Sequence, residues 1–196
     1  MKPAAIGVRM HSGWGVLVAV AKEDGRVRVI ARERIEIVDE KSGGKRQPYH
    51  FARAMRLGAA EKYLGKCAED SQRLAEAAIG GISASLRERG FRVARCAVLT
   101  GAGRELPELS KILAAHPLVH TAEGEFFREA ICAACQRMKI AVSRVREREL
   151  EKTAKEMLGK AALSAKKQIV DEGKTIGSPW TQEHKNAALA AWMILR

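Results

Sequence analysis

The spacing of hydrophobic and polar positions changes several times along the chain, and each change marks a new element. Residues 4–10 and 14–21 are almost continuously apolar, with Ser12-Gly13 between them. Glu23-Asp24-Gly25-Arg26 carries the Asp-Gly signal of a tight hairpin turn. Beyond it Val27, Val29 and Ala31 alternate with Arg26, Arg28 and Arg32, and Ile35 and Ile37 continue the two-residue period. This pattern predicts three strands joined by short turns, an antiparallel meander. A polar loop over 39–48 follows. Its Gly43-Gly44-Lys45-Arg46 run offers backbone and charge to a phosphate but lacks the spacing of a phosphate-binding loop.

From residue 49 to 89 the period is helical. Leu74, Ala78, Ile82 and Leu86 stand four apart on one apolar face, while Arg53, Arg56, Lys62, Lys66 and Arg73 mark a basic one. Gly58, Gly65 and the Gly80-Gly81 pair predict interruptions, and Gly90 an end. Residues 93–100 read as a strong strand, entered from a helix and so predicted to run parallel to the first. Pro107-Glu108 opens a short helix to about Ala115, which His116-Pro117 ends. Residues 118–121 read as extended. Thr121 then caps a helix with Glu123 and Glu125 in its first turn and Phe127, Ala130, Ile131, Ala134 and Cys135 on its apolar face. Residues 139–145 alternate as a strand, residues 148–171 form a charged helical stretch, and the last helix begins at Trp180 or Thr181.

Composition narrows the class. At 196 residues, with 46% hydrophobic and 30% charged, one domain with a real core is expected. No apolar run approaches the roughly 18 residues of a membrane helix. Arg9 and His11 interrupt the first apolar run too soon for a secretory signal, so the cytoplasm is the expected location. The net charge of +12 points to a polyanionic partner, nucleic acid first. Cys132 and Cys135 form a single CxxC inside a helical pattern, with Cys67 and Cys96 elsewhere. Without a second pair these read as small buried residues rather than zinc ligands or disulfides. Trp14, Trp180 and Trp192 read as packing residues.

The element order β-β-β-α-β-α-β-α predicts an α/β protein. Its sheet is mixed and five-stranded, a three-strand antiparallel meander plus two parallel strands, with helices on both faces. This three-layer α/β/α order resembles the ribonuclease H-like fold. Later motifs make the resemblance narrower. They are Glu123-Gly124-Glu125 leading a small-residue helix, Lys167-Gln168-Ile169-Val170, and the final helix with Asn186-Ala-Ala-Leu189-Ala190. Their order is similar to that of Holliday-junction resolvases in the ribonuclease H superfamily. The resemblance implies a single domain over 1–196, with a helical insertion around 49–66.

It also implies two divalent metals held by acids of the first strand, the fourth strand and the last helix. In this chain the first-strand acid falls on Arg9, and residues 98–100 hold no acid. The last helix offers Glu183 and Asn186, or His184 and Ala187, depending on register. A cation at the metal position repels Mg²⁺. The expected function is therefore a nucleic-acid-associated, ribonuclease H-like protein that has lost the two-metal site, with no cofactor. Arg9, Lys45, Arg46, Arg53 and Arg56 would contact phosphates, of DNA rather than RNA. No membrane is expected as a partner, and a homodimer is left open. The alternative is a divergent metal-dependent nuclease. There Glu123, Glu183 and His184 would catalyse, and His11, His120 and Glu123 would hold Mg²⁺, Mn²⁺ or Zn²⁺. A scaffold without a nucleic-acid role is the third reading.

Overall fold

The computed structural model describes residues 1–39, 44–101, 103 and 105–195, so Gly43 of the Gly-Gly-Lys-Arg run lies outside the described residues. Strands β1 (Lys2–Met10), β2 (Trp14–Glu23) and β3 (Arg26–Glu36) form the antiparallel meander. At its second turn Asp24 and Gly25 both have positive φ, +48° and +76°, as a tight turn with the twist of a hairpin requires. Helices α1 (Pro48–Ala52) and α2 (Leu57–Glu88) lead to β4 (Phe91–Thr100), which runs parallel to β1. Then α3 (Leu109–Ala114) and α4 (His116–Arg137) lead to β5 (Ala141–Arg146), parallel to β4. A single 3₁₀ turn, Glu147–Glu149, connects to α5 (Leu150–Leu158), α6 (Ala161–Ile176) and α7 (Gln182–Ile194). The sheet order is β3-β2-β1-β4-β5. This is the mixed five-stranded sheet that the sequence pattern predicts.

Alternation along β1 separates two cores. Ala4, Ile6, Val8 and Met10 point to the side covered by α2 and α4, where Ile79, Leu86, Phe127 and Ile131 pack. Ala5 points to the side covered by α5, α6 and α7, with Ile169, Leu189 and Met193. Gly7 lies on this second side, where α7 comes so close that a Cβ at Gly7 would sit 1.9 Å from the Ala187 carbonyl oxygen. Only glycine admits that approach. The open edge of β3 is covered by α6. Gln168 Oε1 accepts from the Val27 amide at 2.9 Å, and Glu172 Oε2 from the Val29 amide at 2.8 Å. Two side chains one helical turn apart thus occupy edge amides that would otherwise invite another strand.

Two elements differ from the expectation. The predicted interruptions at Gly58, Gly65, Gly80 and Gly81 are absent, and α2 runs unbroken for 32 residues. The chain breaks earlier, over 53–56, between α1 and α2. Each glycine costs about 1 kcal/mol in a helix. Burial of Leu64, Cys67, Ala75, Ile79, Ile82 and Leu86 along one face offsets that cost. Residues 118–121 are not extended. They belong to α4, which starts at His116 with Pro117 in its first turn. A proline there gives up only an amide that has no helical partner in any case. Thr121 is therefore inside the helix rather than its cap, and His116 and His120 stand one turn apart on the same face.

The four cysteines are buried and free, and apolar surroundings push the Cys132 thiol up to about 11. Among the described residues no helix is long and apolar enough to cross a membrane.

Candidate functional site

The carboxyl ends of β1, β4 and β5 meet at one edge of the sheet, where open α/β sheets form their ligand crevices. Arg9 is on the same side of β1 as Gly7 and so faces α7. Its Nε donates to Glu147 Oε1 at 2.8 Å, and its Nη1 donates to Glu183 Oε1 at 2.6 Å. Glu147 follows directly after β5, and Glu183 lies in the first turn of α7. Asn186, three residues further along α7, donates from Nδ2 to the same Glu147 oxygen at 3.2 Å. His11 Nε2 lies 2.7 Å from Arg9 Nη1 and 3.0 Å from Glu183 Oε1. Its ring stacks on Trp14 with centroids 4.0 Å apart, and the Arg34 guanidinium sits 3.7 Å from the Trp14 ring centre. A guanidinium therefore stands between two carboxylates, all three side chains being 26–33% exposed.

His184 is engaged differently. Its Nδ1 accepts from the Thr181 amide at 3.2 Å and contacts Thr181 Oγ1 at 2.8 Å, closing a capping box at the start of α7. Burial, followed by the charge of Arg32, holds this imidazole below its ordinary range.

A second group forms where α1 meets α4. Glu123 is buried, with both oxygens committed to α1. Oε1 accepts from the Tyr49 amide at 3.2 Å, while Oε2 is 3.4 Å from the His50 amide and 2.6 Å from His50 Nδ1. Burial raises the carboxyl above its ordinary value, with the His50 ring and the Tyr49 amide opposing. The ring nitrogens of His50, His116 and His120 gather within 4.8 Å of one another. Slight burial, then the positive charges of His120, Arg53 and His50, lower His116. Of the candidates, then, Arg9, His11 and Glu183 come together, while Glu123 and His120 each meet His50, apart from His11. His184 stays on the capping turn.

Between the two groups runs a cleft along the end of β4. One part is lined by Thr100, Gly101, Arg128, Glu147 and Arg148. The next part, about 250 Å³, shares Gly101 and Arg128 and reaches His120, Thr121 and Gly124.

The remaining basic candidates divide by their partners. Lys45 Nζ donates to Asp70 at 2.7 Å, which raises the lysine and lowers the aspartate. Arg46 Nη2 lies 3.5 Å from Glu36. Arg53 and Arg56 are exposed between α1 and α2, and Arg53 donates to the Leu113 carbonyl at 3.2 Å.

The sequence reading passed over Glu147, His50, His116 and Arg128. Glu147 carried a signal, an acid directly after a predicted strand. The His116-x-x-x-His120 spacing was hidden by the extended reading of 118–121. Nothing local marks His50, which only the docking of α1 brings to α4.

Scans of family models and of curated proteins find no match. Solved structures do match. RuvC from Thermus thermophilus in complex with a Holliday junction substrate aligns with a TM-score of 0.55 and 11% identity, over 97% of this chain and 91% of that one. A second T. thermophilus RuvC structure aligns with a TM-score of 0.51 and 13% identity, over 97% and 92%. This chain has a ribonuclease H-like fold of the kind seen in those resolvase structures.

Proposed function

We propose that this protein binds DNA through a ribonuclease H-like scaffold whose two-metal centre has been replaced by an internal ion-pair cluster. One observation carries the reading: the Arg9 guanidinium bridges Glu147 and Glu183 at the tip of β1. Two-metal phosphodiester cleavage asks for clustered hard oxygens with open lone pairs. Among the described residues, Arg9 already holds one oxygen of each acid that meets it at the strand tip, Glu147 and Glu183. A divalent ion placed among them would face a fixed positive charge in a partly desolvated site. The donor set does not suit that ion.

Other features support a nucleic-acid partner. The net charge is +12, and a protein of similar fold is known in complex with a Holliday junction substrate. The cleft is flanked by Arg128 and Arg148, while Arg53 and Arg56 expose cations without a carboxylate partner among the described residues. In this reading Arg53 and Arg56, on a helical addition around 49–66, meet phosphates first. Lys45 and Arg46 contribute by exchanging Asp70 and Glu36 for phosphate oxygens. Arg9 acts as an internal counter-ion, Glu183 as its partner, and Glu123 and His184 as residues that hold helices in place.

An anisotropy titration with labelled four-way junction, duplex and single-stranded DNA tests the reading. Binding that weakens steeply as salt rises is expected, because neutralised phosphates release counterions. Absence of binding to all three at low salt contradicts it.

A further inference from the structure

We propose that His50, His116 and His120 form a zinc site that clips α1 to α4. The proposal stands on its own geometry and does not depend on DNA binding. Three independent features of the cluster point to a metal. First, His116 and His120 stand four residues apart in one helix, the spacing that puts two imidazoles over the same spot. Second, α1 brings a third imidazole to them. Ring centroids lie 4.4 Å apart for His116 and His120, 4.7 Å for His50 and His120, and 5.5 Å for His50 and His116. One nitrogen from each ring already falls within 4.8 Å of the others. Zinc–nitrogen bonds of about 2.0–2.1 Å need a somewhat tighter triangle, so binding requires His116 and His120, both exposed, to rotate inward.

Third, the buried Glu123 carboxylate lies 2.6 Å from His50 Nδ1. A carboxylate behind a ligating imidazole fixes its tautomer and leaves Nε2 as the available lone pair. Imidazole ligands select zinc over magnesium or calcium. Three protein ligands would leave a fourth position for water, and His120 also lines the cleft.

The test uses the full chain after removal of bound metal with a chelator. Zinc is titrated against a chromophoric competitor, and Co²⁺ serves as a visible-spectrum reporter. One zinc per chain is expected, with a rise in Tm and tetrahedral Co²⁺ bands. The His116→Ala/His120→Ala pair, both exposed, should fold and lose at least about 100-fold in zinc affinity. Cys132→Ala, which breaks the CxxC pair, should keep the stoichiometry of one. Failure to take up zinc overturns the proposal, as does uptake that the double histidine variant leaves unchanged. A DNA-binding result in either direction bears only on the proposed function.

Discussion

At the tip of β1 one side chain decides what the sheet edge can hold. Arg9 brings a permanent positive charge to two carboxylates, so its removal changes both charge and contacts. Arg9→Ala leaves Glu147 and Glu183 without their shared donor. A destabilisation of about 1–2 kcal/mol is expected in denaturant unfolding, reduced from a buried pair because these groups are partly exposed. Arg9→Asp goes further by gathering three acids. That variant should unfold at lower temperature without divalent ions and recover on addition of Mn²⁺, whereas the native chain shows no such recovery. His184 allows a pH prediction. Its folded form favours the neutral ring, so its contribution to stability is present above the ordinary value of 6.5 and lost as pH falls below it. His184→Gln keeps a capping-box side chain at that position but cannot take up a proton. Urea unfolding of both proteins above and below that value should show the native chain losing more stability on acidification.

At the scale of elements, the site depends on how closely α7 lies on β1. Gly7→Ala would force Ala187 away and carry Glu183 with it. A loss of about 3 kcal/mol is expected, read as a shift in the denaturant midpoint. The strands, their order and the last helix were legible in the sequence because period-two alternation, the Asp24-Gly25 turn and Thr181 before an apolar run are local signals. Arg9 at the strand tip was legible for the same reason. What tertiary packing decides was not. The continuity of α2 rests on the core beneath it, which outweighs four glycines. Pro117 is compatible both with the end of one helix and with the first turn of the next, so no local signal shows that α4 starts at His116 and pairs it with His120. Pairing Arg9 with Glu147 required the parallel placement of β5 beside β4, which no short window reveals.

For the whole molecule, charge distribution matters more than any single contact. The chain carries 35 lysines and arginines against 23 acids, yet many cations are paired internally. Arg53 and Arg56 lie apart from those pairs on the α1–α2 corner. Replacing both with alanine should weaken DNA binding at every sequence alike and lower the slope of log affinity against log salt by about 1–2. Thermal stability should change little, since both side chains are exposed.

The central claim is that the sheet edge carries an ion-pair cluster in place of a metal centre while the surface still holds DNA. Titrating a labelled four-way junction with and without Mg²⁺, and then resolving the strands on a denaturing gel, tests it most directly. The account predicts binding that does not require Mg²⁺, weakened by it only as a competing counterion, and intact strands in both conditions. Binding that requires Mg²⁺, or Mg²⁺-dependent cleavage that Glu183→Gln abolishes, would contradict it.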